Sequence, residues 1–275
     1  MSKNVIVYLI RGDENSITSL ERSLSLLKDN FLPWSPADIL VFHEANMCPE
    51  QIIGRTAGLT VKTALVDFSS IPPGTETLSP AQRGYRHMCH FFAIEIFSHQ
   101  ELNGYDYYMR LDDDSYIMSP LRFNVFERMQ AEQIHYAYRV VLRDKARVCF
   151  GISDVIKSHF TTNNSKAKIF CPPPYKIFYN NFEICDLAWF RTPPWQEYFA
   201  AIERANGIWK YRWGDAPIRY YGIMNLLPRE QLWCIKEMHY RHQSEWLPGY
   251  TRRTFLEAIR HYSKMISLVL KDLFH

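Results

Sequence analysis

The chain has 275 residues, 47% of them hydrophobic, with 32 basic against 29 acidic side chains and a formal net charge of +3. That length carries one large α/β domain or two small ones, and so small and dispersed a positive charge excludes a nucleic-acid binder. No apolar run approaches the roughly 18 residues of a membrane span.

Val5–Ile10 is a continuous apolar run, the pattern of a strand covered on both faces. The stretch around it is too short for a signal peptide and lacks a small-residue cleavage site. The expectation is therefore a cytoplasmic protein whose six scattered cysteines (48, 89, 149, 171, 185, 234) are reduced and mostly buried. None of the six forms a Cys-x-x-Cys pair, which argues against zinc. Asn15 or Ser16 then opens a helix whose Ile17, Leu20, Leu24, Leu27 and Phe31 step by three and four. Asp38–Phe42 returns as a second buried strand. Such a β-α-β opening predicts a parallel sheet with right-handed crossovers, and ligands at the carboxyl ends of its strands.

A helix is predicted from about Ala81 to His99, after a loop marked by Pro72-Pro-Gly74 and Pro80. The strand Tyr107–Leu111 follows and runs into Asp112-Asp-Asp114. In extended backbone Asp112 and Asp114 share a face and Asp113 points the other way. Two like charges on one face repel unless a cation joins them. Hard oxygen ligands at a strand end suit Mn²⁺ or Mg²⁺ sharing its shell with a diphosphate. A solvated turn after an edge strand is the plainer explanation of an isolated acidic triplet.

Further along, His135–Leu142 reads as a strand and Arg143–Tyr175, polar with a proline triplet, as a long loop. Phe182–Phe190 resumes a strand pattern with Glu183 between two apolar residues, where a lone carboxylate is costly unless paired or functional. Pro194–Ala205 is helical, stopped by Asn206-Gly207. Asp215 suits the cap of another helix with Pro217 in its first turn. His239 and His242 follow, either one a plausible ligand for a cation held by the triplet. Thr251–His275 alternates apolar and basic positions as an amphipathic helix, packed on the domain, on a partner subunit or on a membrane surface.

Taken together, Tyr85–Cys89, Tyr105–Asp114, Asn181–Arg191, Arg212–Pro217 and Tyr240–His242 resemble, in order, five strings of the fungal α-1,2-mannosyltransferases of glycosyltransferase family 15. The resemblance covers about residues 5–245. It implies one GT-A-like nucleotide-diphospho-sugar transferase domain over 1–250, α/β with a mixed, mostly parallel sheet flanked by helices. It also implies a retaining, Mn²⁺-dependent (or Mg²⁺-dependent) transfer from a nucleotide-sugar donor, GDP-mannose in that family, to a glycan acceptor.

Carried over by position, Asp112 takes the place of the family's metal-binding Glu, with Asp114 its partner, and His242 matches the histidine completing the metal shell. Glu183 matches the carboxylate that faces the anomeric carbon, and Tyr85 a tyrosine of the sugar pocket. Arg86, Asn181, Trp213 and Asp215 lie in matching strings and are assigned with Asp113 to donor or acceptor binding. The family's Glu-Pro is replaced here by Asp112-Asp113, and its enzymes carry a Golgi anchor and stem. Alternatives are a UDP-sugar transferase of the same fold, for xylose or a hexose, or a glycan- or nucleotide-binding module without turnover.

Overall fold

The computed structural model describes residues 2–163 and 175–249. In chain order the elements are β1 (Asn4–Leu9), α1 (Glu14–Asn30), β2 (Asp38–His43), α2 (Pro49–Ile53), β3 (Lys62–Leu65), α3 (Pro80–Ala93), β4 (Tyr107–Leu111), β5 (Ser115–Ile117), α4 (Val125–Ala131), β6 (Tyr136–Tyr138) and β7 (Val141–Arg143). They continue with α5 (Ile152–Asn163), β8 (Lys176–Phe178), β9 (Phe182–Asp186), α6 (Leu187–Phe190), α7 (Pro193–Ala205), α8 (Gly207–Tyr211), α9 (Asp215–Leu226), β10 (Leu232–Cys234), β11 (Tyr240–His242) and β12 (Glu245–Leu247).

The main sheet has the order β10-β6-β9-β4-β1-β2-β3. All its neighbours are parallel except β9, which runs antiparallel to both β4 and β6. Alternation in the buried strands divides the core in two. Val5, Val7, Leu40 and Phe42 face α3, α7 and α9, whereas Ile6, Tyr8, Ile39 and Val41 face α1 and α4. Both faces of the sheet are therefore covered, as uninterrupted apolar strands require. A small sheet β12-β11-β5 closes over the carboxyl end of β4, because β5 leaves the main sheet after the acidic triplet and pairs with β11.

Several local expectations are corrected. The cap of α1 is Asp13, whose Oδ1 accepts from the Ser16 amide at 2.9 Å. The helix after the Pro72 loop ends at Ala93 and continues only as 3₁₀ turns. Phe182–Phe190 is not one strand: Asp186 caps the short α6 through the amides of Ala188 and Trp189. The 135–142 strand breaks into β6 and β7, and the loop expected over 143–175 contains α5, whose Ile152, Ile156 and Phe160 pack into the first core. Those three positions have helical spacing, which the polar residues between them disguise. Of the cysteines, Cys89, Cys149 and Cys185 are buried thiols, Cys234 is half-buried and Cys48 exposed; all five are free, and Cys171 lies outside the described residues. So does the tail helix expected over 251–275. Among the described residues no helix is long and apolar enough to cross a membrane.

Candidate active site

At the carboxyl ends of β1, β2 and β4 lies a cavity of about 670 Å³, within the usual range of small-ligand sites. Asp112, Asp113, Asp114, Tyr85, Asn181, Asp215 and His242 all contribute to its wall. The triplet forms a tight turn, closed by the Ser115 amide donating to the Asp112 carbonyl at 2.9 Å, not an extended strand. Its side chains still diverge by parity. Asp113 turns away to accept from Ser16 Oγ at the start of α1. Asp112 and Asp114 both turn to His242, whose Nε2 stands 3.7 Å from Asp112 Oδ2 and 2.9 Å from Asp114 Oδ1.

Strand pairing explains how residue 242 arrives there. In the β5–β11 ladder His242 sits opposite Ser115, the residue that follows the triplet. Tyr240 is fixed two residues earlier by hydrogen bonds to Ser115 Oγ (2.7 Å) and Asn181 Oδ1 (2.8 Å). The imidazole is oriented from behind, since its Nδ1 meets the Tyr179 hydroxyl at 2.7 Å. His239, the other histidine considered, lies outside the cavity wall.

Electrostatics differ sharply within the triplet. Burial, with the neighbouring charges of Asp114 and Asp112, pushes the Asp113 carboxyl up to about 6 against the opposing hydrogen bond from Ser16. Burial acts in the same sense on Asp114, but the hydrogen bond and charge of His242 hold it below the usual carboxylate value.

Opposite the imidazole, the triplet meets a buried cation. Arg110, in the middle of β4 and 3% exposed, pairs through Nε with Asp112 Oδ1 at 2.9 Å and through Nη1 with Asp215 Oδ2. Its guanidinium lies 3.6 Å from the centre of the Phe92 ring. Burial would ease its proton off, but Asp112 and Asp215 hold it on more strongly. Asn180 Nδ2 donates to the same Asp215 Oδ2 at 2.9 Å. The cap of α9 is Gly214, so Asp215 does not cap its helix; its carboxylate is turned instead toward Arg110 and the cavity. Arg110 and Asn180 were not singled out in the sequence. The available signal was an arginine inside the otherwise apolar strand Tyr107–Leu111, a placement that demands a paired anion.

Three expected site residues are placed elsewhere. Glu183 is 0% exposed and does not line the cavity. Its oxygens accept from Tyr108 (2.6 Å), Tyr136 (2.9 Å) and Arg219 Nε (3.1 Å), so it lies in the core between β4, β6 and α9, not on the cavity wall where a carboxylate facing the sugar is expected. Parity is the reason: Phe182 and Ile184 face the second core, which sends Glu183 to the opposite, equally buried face. Arg86 spends its guanidinium on the carbonyls of Trp209 and Gln82, joining α3 to α8. Trp213 is 1% exposed and seated on Gly207, where a Cβ would come within 2.2 Å of its ring. It anchors the turn into Gly214-Asp215 and leaves the cavity wall to its neighbours.

Asn181 completes the wall. It is 5% exposed, and with Oδ1 taken by Tyr240 its Nδ2 makes no well-formed hydrogen bond among the described residues, with only the Tyr179 hydroxyl within reach. A buried amide donor without an acceptor costs about 1–3 kcal/mol, which an oxygen-rich ligand in the cavity would recover. Two carboxylates and an aimed imidazole nitrogen form a donor set fitting Mn²⁺ or Mg²⁺. Among the described residues no three such groups already stand as a closed cage, so a cation would have to replace the direct Asp114–His242 contact.

A family described as glycolipid 2-alpha-mannosyltransferase matches residues 76–251. Glycolipid 2-alpha-mannosyltransferase 1 of Candida albicans is 28% identical over 174 residues, 58% of this chain and 39% of that protein. Its Saccharomyces cerevisiae counterpart is 25% identical over 184 residues, 61% of this chain and 40% of that protein. The chain thus spans about two fifths of the length of these relatives. Among solved structures, core-mannan synthase A of Aspergillus fumigatus in its Mn/GDP form superposes with a TM-score of 0.80 at 17% identity, covering 92% of this chain and 77% of that one. The mannosyltransferase Ktr4p of S. cerevisiae in complex with GDP gives 0.79 at 18% identity, with 91% and 73% covered. At such identities the likeness establishes the GT-A-like fold.

Proposed function

The chain belongs to the glycolipid 2-alpha-mannosyltransferase family, and from that premise we propose that it transfers mannose from GDP-mannose to a glycan hydroxyl, retaining the anomeric configuration and using Mn²⁺. The observation that carries the proposal is the convergence of Asp112, Asp114 and His242 in one cavity with the Arg110–Asp215 pair. The Mn/GDP form of core-mannan synthase A and the GDP complex of Ktr4p, which share this fold, support the same reading.

Asp112, Asp114 and His242 would hold Mn²⁺, which would supply positive charge against the charge that builds on a departing diphosphate. The chain's own groups do the rest. Arg110 pairs with Asp112 and Asp215 and fixes both, its charge offsetting the repulsion that neighbouring carboxylates would otherwise create. Tyr179 holds the His242 ring so that Nε2 faces the carboxylates. The idle Asn181 Nδ2 donates to an oxygen of the donor. Tyr85 stays a phenol, because Cys89, burial and Asp215 all push its pKa upward, so it serves as a hydrogen-bond donor to the sugar. Asp215, with Oδ2 occupied by Arg110 and Asn180, offers Oδ1 to the positive charge developing at the anomeric carbon. Glu183 supports this wall from behind by fixing Arg219, one helical turn after Asp215.

The test is incubation with GDP-mannose, Mn²⁺ and methyl α-mannoside. A disaccharide with a new α linkage by NMR, abolished by EDTA and reduced at least about 100-fold in Asp112→Ala, is expected. A folded chain that releases no GDP and transfers no mannose with Mn²⁺ present refutes the proposal.

A further inference from the structure

The strand order turns the cavity into a ruler. Asp112 ends β4, Ile10 and Arg11 follow β1, Glu44 follows β2 and Phe68 lies beyond β3, and these four strands are consecutive in the sheet. Adjacent strands are about 4.8 Å apart, so Glu44 stands roughly 10 Å from the triplet, measured across the sheet. A nucleoside held by its diphosphate at the triplet lays its base at that distance. The wall there is apolar, formed by Leu9, Ile10 and Phe68, apart from Arg11 and Glu44.

Glu44 is firmly held. Its carbonyl accepts from His43 Nδ1 at 2.9 Å and from the Met47 amide at 3.2 Å. Its loop lies flush against the turn after β1, where a Cβ on Gly12 would meet Asn46 Oδ1 at 2.6 Å. The residue is half-buried, yet among the described residues no side chain bonds or ion-pairs with its carboxylate. Arg11, the nearest cation in sequence on this wall, leans toward Asp13 at 3.8 Å. A half-buried carboxylate with idle oxygens, carried on a backbone held at two points beside an apolar wall, is an acceptor pair for two adjacent donors.

Guanine presents such a pair, N1–H beside its exocyclic N2–H. Hypoxanthine keeps only N1–H, and uracil offers a single N3–H flanked by carbonyl oxygens that a carboxylate repels. The geometry points to Glu44 as the residue that selects guanine, through a bidentate contact with N1–H and N2–H of the donor nucleotide. This deepens the mannosyl-transfer reading and rests on it.

Isothermal titration of the full chain with GDP, IDP and UDP in the presence of Mn²⁺ tests it, on the wild type and on Glu44→Gln. A bidentate base contact discriminates about tenfold to a hundredfold. The wild type should bind GDP at least about tenfold tighter than IDP or UDP. Glu44→Gln should bring GDP down to the level of IDP while leaving IDP within a few-fold of its wild-type value. Glu44→Asp, one methylene shorter, should fall between them. An unchanged melting temperature without nucleotide separates these losses from misfolding. If the wild type binds GDP and transfers mannose while Glu44→Gln keeps the same GDP-to-IDP ratio, the role of Glu44 is overturned and the transfer reading stands. If the wild type with Mn²⁺ binds no nucleoside diphosphate, or prefers UDP, the GDP-mannose reading falls and the guanine contact with it.

Discussion

Replacing Glu183 separates two readings of the most deeply buried carboxylate among the described residues. In Glu183→Ala the guanidinium of Arg219, itself 0% exposed, loses its anion and keeps the Phe92 carbonyl, to which Nη2 donates at 2.6 Å, and the Phe97 and Phe190 rings at 4.5 and 5.0 Å. Breaking a buried pair from one side costs about 3–5 kcal/mol, and the hydroxyls of Tyr108 and Tyr136 lose their acceptor as well. Against a total stability of roughly 5–15 kcal/mol, that is a large fraction. At about 2–4 °C per kcal/mol for a chain of this size, the melting temperature should fall by roughly 6–20 °C. Glu183→Gln, which keeps the volume and one acceptor oxygen, should lose about half as much. The assay pairs calorimetric melting with turnover measured well below the transition, with and without added formate or azide. Turnover should track the folded fraction, and small anions should not rescue it. A Glu183→Ala protein that melts within about 2 °C of wild type and yet is inactive would refute this reasoning and return Glu183 to the reacting centre.

Three further outcomes follow from the geometry. Burial lowers the His90 pKa, but Glu203 and Glu95 raise it further, to about 9 from a usual 6.5, so its stabilisation is complete below about 6.5 and lost as pH rises through 9. Melting curves from pH 6 to 10 should show that loss, at most about 3 kcal/mol, and His90→Gln should flatten it; an identical slope in both proteins contradicts the assignment. Tyr179→Phe should weaken Mn²⁺ binding about 10–100-fold, read by electron paramagnetic resonance of free Mn²⁺, since the His242 ring loses its only rear hydrogen bond among the described residues; unchanged affinity would make that contact incidental. Gly207→Ala should destabilise the chain by about 1–3 kcal/mol in urea, because its methyl group would enter the Trp213 ring. Wild-type stability there would mean that α8 adjusts freely.

How much of this was legible in the sequence depends on the range of the forces involved. β4 was read to the residue, as Tyr107–Leu111, because continuous burial leaves a continuous apolar pattern. The Asp112/Asp114 parity was read correctly for an incorrect reason: the triplet is a turn, and its side chains diverge because Ser16 captures Asp113 while His242 faces the other two. The fate of Glu183 was not legible. Period-two alternation states which face a residue takes, but not that β9 is covered on both faces, nor that an arginine thirty-six residues later pairs with it. The turn of Asp215 away from its helix cap depends likewise on Arg110, 105 residues distant in sequence. Resemblance of short strings identified which segments meet, and only packing decided which side chains within them reach the cavity.

The ladder between β5 and β11 has a consequence for biosynthesis. It brings together residues 125 apart in sequence, Ser115 and Tyr240, and with them the imidazole that faces the triplet. A polypeptide emerging from the ribosome holds its carboxylates and most of its sheet long before it holds residue 242. Until that short strand docks, the acidic turn is an open cluster without its nitrogen ligand, and such a distant pairing is among the slower steps of folding. Capture of the proposed Mn²⁺ would therefore wait until residue 242 has been made, and its binding would report that β11 has docked on β5.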